Sequence, residues 1–192
     1  MRRPAKIDTP SASALLSRPM KRFPIQFAAL ALTATVWSAP PPPPRLLEKA
    51  RVLPLALDDA FQFRKTKTYF NDPLPTKQVQ TQEEMLRFEQ LRVNFGAITG
   101  NDRRERQGQY FTFFWRTSRK SDVTMRFEYR QSNLGSHVQA RERDYPAAKG
   151  SFRSEFNILG DDFLEDGKVT AWRAVLIENG KIVALNQSFL WN

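Results

Sequence analysis

The stretch Lys168 to Asn192, KVTAWRAVLIENGKIVALNQSFLWN, decides how the rest of the chain is read. Two apolar, β-branched-rich runs flank Asn179-Gly180, the dipeptide suited to a type I′ turn because both central positions need φ > 0. A β-hairpin is therefore expected. Pairing outward from the turn sets Glu178 against Lys181, Leu176 against Val183, Ala174 against Leu185, Trp172 against Gln187 and Thr170 against Phe189 on one face. Ile177 with Ile182, Val175 with Ala184 and Arg173 with Asn186 share the other face. The first face carries the bulk and is expected to be the core side, and Arg173 marks the second as partly wet. Ile177 and Ile182 on that wetter side are candidate interaction residues; local cover by residues 45 to 75 accounts for them, with a partner surface as the alternative.

Upstream of the hairpin, Ser151 to Leu159 sets Phe152, Phe156 and Ile158 against Arg153, Glu155 and Asn157. Asp122 to Gln131 alternates in the same way, with Val123, Met125, Phe127 and Tyr129 inward and Thr124, Arg126, Glu128 and Arg130 outward. Tyr110 to Thr117 puts Phe111, Phe113 and Trp115 on one face. A weaker strand is expected around His137 to Glu142, followed by a loop at Tyr145-Pro146, and another strand over Leu91 to Thr99. Thr81 to Glu84 reads as a capping box opening a helix of two or three turns, with Met85, Phe88 and Leu91 or Arg92 following at helical spacing. Strict period-two patterns mean antiparallel strands with one solvated face. About seven such strands at this spacing predict a mainly β, antiparallel β-sandwich.

On these residues, positions 90 to 192 resemble the immunoglobulin-like and fibronectin type III-like sandwiches in architecture. Gly160 to Gly167 resembles the connection that crosses between sheets, and the hairpin resembles the last two strands. The chain lacks the cysteine pair of antibody domains and a tyrosine at the corner position, so the resemblance implies layering and carries over no activity or site.

The amino-terminal part reads differently. After a polar stretch, Met20-Lys21-Arg22 precedes the apolar run Phe23 to Trp37, then Ser38 and Ala39, the pattern of a secretory signal peptide. A cut before Ala39 places Val36 and Ser38 at its small-residue positions, and Met20 is then a candidate true start. The run is shorter than the ~20 residues that span a bilayer. Export to the periplasm or cell exterior is expected, with an anchor at residues 23–37 or a core helix as alternatives. Pro40 to Pro44 forms a polyproline spacer of roughly 15 Å. The expected organisation is an extension and signal segment at 1–38, a Pro-rich spacer and extended segment at 39–80, and a β-sandwich with a leading short helix at 81–192.

The chain of 192 residues carries a net charge of +10 and no cysteine. Half of that excess lies in residues 1 to 38, and the hairpin half of the chain has a mixed surface, so nucleic-acid binding is disfavoured. Without cysteine there are no disulfides, thiolate metal sites or Cys nucleophiles. His137 is the single histidine, which excludes two-His metal sites, and no Gly-x-Ser-x-Gly elbow accompanies it. Asp161, Asp162, Glu165 and Asp166 are the metal candidates, because clustered carboxylates suit Ca²⁺. Turn formation explains them equally, and no cofactor is expected. Arg64, Lys65 and Lys67 lie among aromatics that could stack single-stranded nucleic acid, an edge strand being the plainer explanation. Arg103, Arg104 and Arg106 stand in a polar loop diluted by Asp102 and Glu105. The chain is thus expected to be an exported, non-catalytic structural or protein-interaction module of the cell envelope. Its partner would be an envelope or external protein, with membrane contact only through an uncleaved amino-terminal segment. The alternative is a binder of an anionic polymer, acidic glycan or nucleic acid, using those two basic clusters.

Overall fold

In a computed structural model, which describes residues 42–72 and 83–191, the aromatic run beginning at Tyr110 does not turn at Ser118 but continues as one strand to Gln131. The elements in order are β1 (Arg45–Leu47), β2 (Phe61–Asn71), α1 (Glu83–Val93), α2 (Gly100–Glu105), β3 (Gly108–Gln131), β4 (Gln139–Leu159), α3 (Asp161–Asp166), β5 (Val169–Glu178) and β6 (Lys181–Gln187). The signal segment and the capping Thr81 lie outside the described residues.

The fold is mainly β, and its strands pair antiparallel in one sheet with order β1-β4-β3-β5-β6, β2 also pairing with β3. The 24-residue β3 is the spine. Its first half pairs with β2, from Thr117 opposite Phe61 to Gly108 opposite Asn71. Its second half pairs with β5, from Thr124 opposite Ile177 to Gln131 opposite Val169. β4 accompanies it throughout, from Leu159 opposite Gly108 to Gln139 opposite Tyr129.

This spine cannot be straight. Phe113 and Phe127 are fourteen residues apart, about 46 Å in an extended strand, yet their ring centroids lie 5.5 Å apart. β3 therefore folds back on itself and carries β4 with it. The corner falls where the β3–β4 register shifts, between Thr117 and Val123. Ala147 at φ 50° and Gly150 at φ 95° bend the partner strand there, and Pro146 removes a donor. The two halves of the sheet then face each other as two layers.

Between the layers, Phe113, Trp115, Phe127, Tyr129 and Phe156 are fully buried. Phe113 meets Trp172 edge-on at 5.4 Å, and Phe127 stacks on Phe156 at 5.3 Å. The polar atoms among these rings are satisfied: Trp115 Nε1 donates to Ser154 Oγ at 2.8 Å, and Ser154 Oγ lies 2.5 Å from the Tyr145 hydroxyl. Asn186 Nδ2 donates to Thr66 Oγ1 at 2.8 Å, tying β6 to β2.

Several expectations are corrected. Tyr110–Thr117 and Asp122–Gln131 are one strand, because the polar residues between them line the outside of a corner and not a turn. His137–Glu142 and Ser151–Leu159 likewise join through Tyr145-Pro146 into β4. Leu91–Thr99 ends helix α1 and enters a turn instead of forming a strand. The loop at 100–107 contains α2, started by a capping box in which Thr99 Oγ1 accepts from Asp102 N and Asp102 Oδ2 accepts from Thr99 N. Gly160–Gly167 winds into α3, which links the end of β4, paired with the first half of β3, to the start of β5, paired with its second half. In the hairpin, Asn179 at φ 50° and Gly180 at φ 72° make the turn, and Ile177 faces Ile182. The register then slips, so that Leu176 faces Ala184, Val175 faces Leu185 and Arg173 faces Gln187. The extra residue, Val183, joins Ala184 in the core, whereas Phe189 is 95% exposed.

Gly108 starts β3 at φ 143°, where a Cβ would lie 2.1 Å from the Ile158 carbonyl oxygen. That neighbour is backbone within the β3–β4 ladder and cannot swing aside. Gly108→Ala is expected to cost about 2–4 kcal/mol in denaturant unfolding; a loss below about 0.5 kcal/mol would contradict this close approach.

Candidate functional site

Two of the outward positions of β3 are not wet. Arg126 and Glu128 are 6% and 3% exposed. Arg126 Nε donates to Glu142 Oε1 at 2.7 Å and its Nη1 to the Arg51 carbonyl at 2.8 Å. Glu128 Oε2 accepts from Arg173 Nε at 3.0 Å, and Glu142 Oε2 accepts from Arg45 Nη2 at 3.2 Å. Residues 45 to 58 cross over this lattice. Leu53 packs on Val175, Ile177 and Ile182, while Ile182 N donates to the Pro54 carbonyl and Ala56 N donates to the Ile182 carbonyl, each at 2.9 Å. Ile177 and Ile182 are therefore closed over by the chain itself. Each charge here has a partner, and the lattice holds the crossing segment down.

At the corner, Arg119 Nη2 donates to Asp58 Oδ2 at 2.9 Å, and the guanidinium also grips Glu178, to which the Ser121 hydroxyl donates. The same guanidinium lies 4.7 Å from the centre of the Phe61 ring. Arg119 holds the Glu178 carboxyl below the ordinary carboxylate range, with Ser121 helping.

A third feature is an open recess of about 290 Å³ lined by Arg92 of α1 and by Arg143, Arg153 and Glu155 of β4. Arg92 Nε donates to Glu89 Oε2 at 2.7 Å, and Arg153 pairs with Glu155. Arg143 has no ion pair among the described residues. Its guanidinium lies 5.9 Å from the Phe156 ring centre, and its Nε is shut from solvent without a hydrogen-bond partner.

Beside the recess, α1 and the turn after it expose Leu86, Phe88, Leu91, Phe95 and Ile98, by 56 to 86%. This apolar limb is held firmly. Arg106 Nη1 donates to the carbonyls of Val93 and Phe95 at 3.2 and 2.5 Å. The fully buried Asn71 donates to the Arg106 carbonyl at 2.8 Å and exchanges side-chain hydrogen bonds with Asn94.

The residues singled out from the sequence do not converge. Arg106 points inward to those carbonyls, Arg104 lies 3.8 Å from Asp161, and Arg103 is exposed on α2. Arg64, Lys65 and Lys67 are exposed on β2. On α3, Asp162 pairs with Arg141 at 2.5 Å, Asp166 accepts from Gln139 at 3.2 Å, and the Glu165 carbonyl accepts from Asn133. Among the described residues no group of three or more His, Asp or Glu could hold a metal ion, and no helix is long and apolar enough to cross a membrane. His137 is exposed. Sequence reasoning missed Arg92, Arg143 and Arg153 as a group. The available signal was the parity of β4: Arg143 lies opposite Met125, which is fully buried, so an arginine occupies a core-side position.

No known protein family matches the chain, and no curated protein matches it. Among solved structures, a crystal structure from Akkermansia muciniphila is similar at a TM-score of 0.41 and 14% identity, over 67% of this chain and 68% of that one.

The corner cluster gives a signed pH dependence. Because the folded Glu178 carboxyl is held below its ordinary value of 4.5, its contribution is present above that value and is lost as pH falls through the folded one. Glu178→Gln should therefore destabilise the protein at pH 7, and the difference from wild type should shrink at about pH 3. Urea unfolding at both pH values checks this, and an equal difference at both would contradict it.

Proposed function

We propose that the chain is an exported, non-catalytic protein-interaction module of the cell envelope. The observation that carries this reading is the exposure of Phe88, Leu91 and Phe95, which follow at helical spacing of three and four, on a limb pinned by Arg106 and Asn71, with Leu86 and Ile98 exposed on the same limb. Monomeric proteins seldom leave large contiguous apolar patches uncovered, and those that do use them for contact. Exposed Arg87, Arg92, Arg103 and Arg104 belong to the same limb. The partner that fits is a protein surface with an apolar centre and an acidic border. The signal-peptide pattern at residues 20 to 39 supports the location. Two facing layers built from one bent sheet support an immunoglobulin-like reading of the layering, and not of the connectivity. The anionic-polymer alternative is weakened because Arg106, one of its six cations, is engaged within the chain.

Purification of the exported protein from its native host tests the proposal. Wild type should begin near Ala39 by mass and retain a protein that salt releases. Phe88→Asp with Leu91→Asp should lose that protein with an unchanged melting temperature. Capture that survives the double substitution would contradict the interface, and tight, salt-resistant retention on heparin would favour the polymer binder.

A further inference from the structure

The long edge of the sandwich where β6 meets β2 is tied by Asn186 and Thr66. At the opposite edge, β4 bends round and its own two halves come together. Arg141 spans them, donating from Nη1 to the Asn157 carbonyl at 2.9 Å and pairing with Asp162. Arg143, two residues on, has the same core-side parity but finds no acceptor. Its Nε is enclosed and unpartnered, its guanidinium lies toward the Phe156 ring, and it lines the recess with Arg92, Arg153 and Glu155.

No acceptor within the described residues engages this guanidinium: its enclosed Nε has no partner, and Arg143 is the one arginine of the recess without an ion pair there. We propose that this recess is a carboxylate-binding subsite, in which Arg143 turns its two Nη groups, not the enclosed Nε, to the two oxygens of one carboxylate. The planar fork of arginine matches a carboxylate in two parallel hydrogen bonds. Charge selects among anions. Arg92 and Arg153 already have Glu89 and Glu155 as partners, leaving one uncompensated cation, and Glu155 would repel the second charge of a phosphate dianion. Phe156 beneath the guanidinium leaves the side of the fork as the polar approach. The inference stands on the recess alone and does not require the apolar limb to be an interface.

The test is an NMR titration of the ¹⁵N-labelled full chain, following the backbone amide signal of residue 143, which wild type and variants share, with acetate and chloride compared at constant ionic strength. Acetate should shift that signal saturably at roughly millimolar concentrations, as expected for a single open ion-pair site, and chloride should not. Arg143→Lys keeps the charge but loses the fork, and together with Arg143→Met it should weaken acetate binding about tenfold or more. Hexaglutamate distinguishes the source of the carboxylate. Binding tighter than the equivalent concentration of acetate assigns the subsite to an acidic chain, and equal binding assigns it to a free carboxylate. Equal shifts with acetate and chloride, or binding unchanged in both variants, would overturn the proposal. The wild-type titration decides by itself if a variant fails to fold.

Discussion

Contact between Phe113 and Phe127 is the constraint on which the rest of the structure depends. Two rings on one strand can meet only if that strand doubles back, and its whole hydrogen-bonded partner must bend at the same place. The corner at Thr117 to Val123 and the positive φ angles of Ala147 and Gly150 are the local means. The gain is an aromatic core in which Phe63, Phe127, Phe156 and Trp172 surround Phe113, supplied from both layers. β2, β5 and β6 then only extend layers that the β3–β4 ribbon has already placed face to face.

The bend has consequences on the outside as well. The segment from Arg45 to Asp58 crosses one layer and covers Arg126, Glu128, Glu142, Val175 and Ile177. A buried ionic lattice contributes modestly to stability when complete, and is costly when one member is missing. It therefore fixes the path of the crossing segment more than it strengthens the fold. Asp58 then meets Arg119 at the corner, so the same segment that hides the lattice also braces the bend. Arg143 is left without an acceptor at the edge where β4 bends round.

Much of the fold is legible in residue alternation. Period two assigns Phe111, Phe113 and Trp115 and the series from Val123 to Tyr129 to the interior, and all seven are buried. Alternation fails at the boundaries, because Ser118 to Asp122 has the polarity of a turn while its backbone stays extended through a corner. It fails again at Arg126 and Glu128, whose outward parity is right but whose burial depends on a segment seventy-odd residues earlier. In the hairpin, Asn179-Gly180 marks the turn, but the bulge at Val183 has no local signature, since Val183 and Ala184 are both apolar and either suits the core. The recess is the least legible feature. Arg92 comes from a helix whose pattern is weak, and Arg143 comes from a strand whose continuity across Tyr145-Pro146 is hidden by the proline.

The doubled-back ribbon carries the pinned apolar limb and the cationic recess. Everything in that account depends on the doubling back, which a double-mutant cycle on Phe113→Leu and Phe127→Leu measures directly by denaturant unfolding. The account predicts a coupling of about 0.5–1.5 kcal/mol between the two rings. Additive losses, with a coupling indistinguishable from zero, would contradict it.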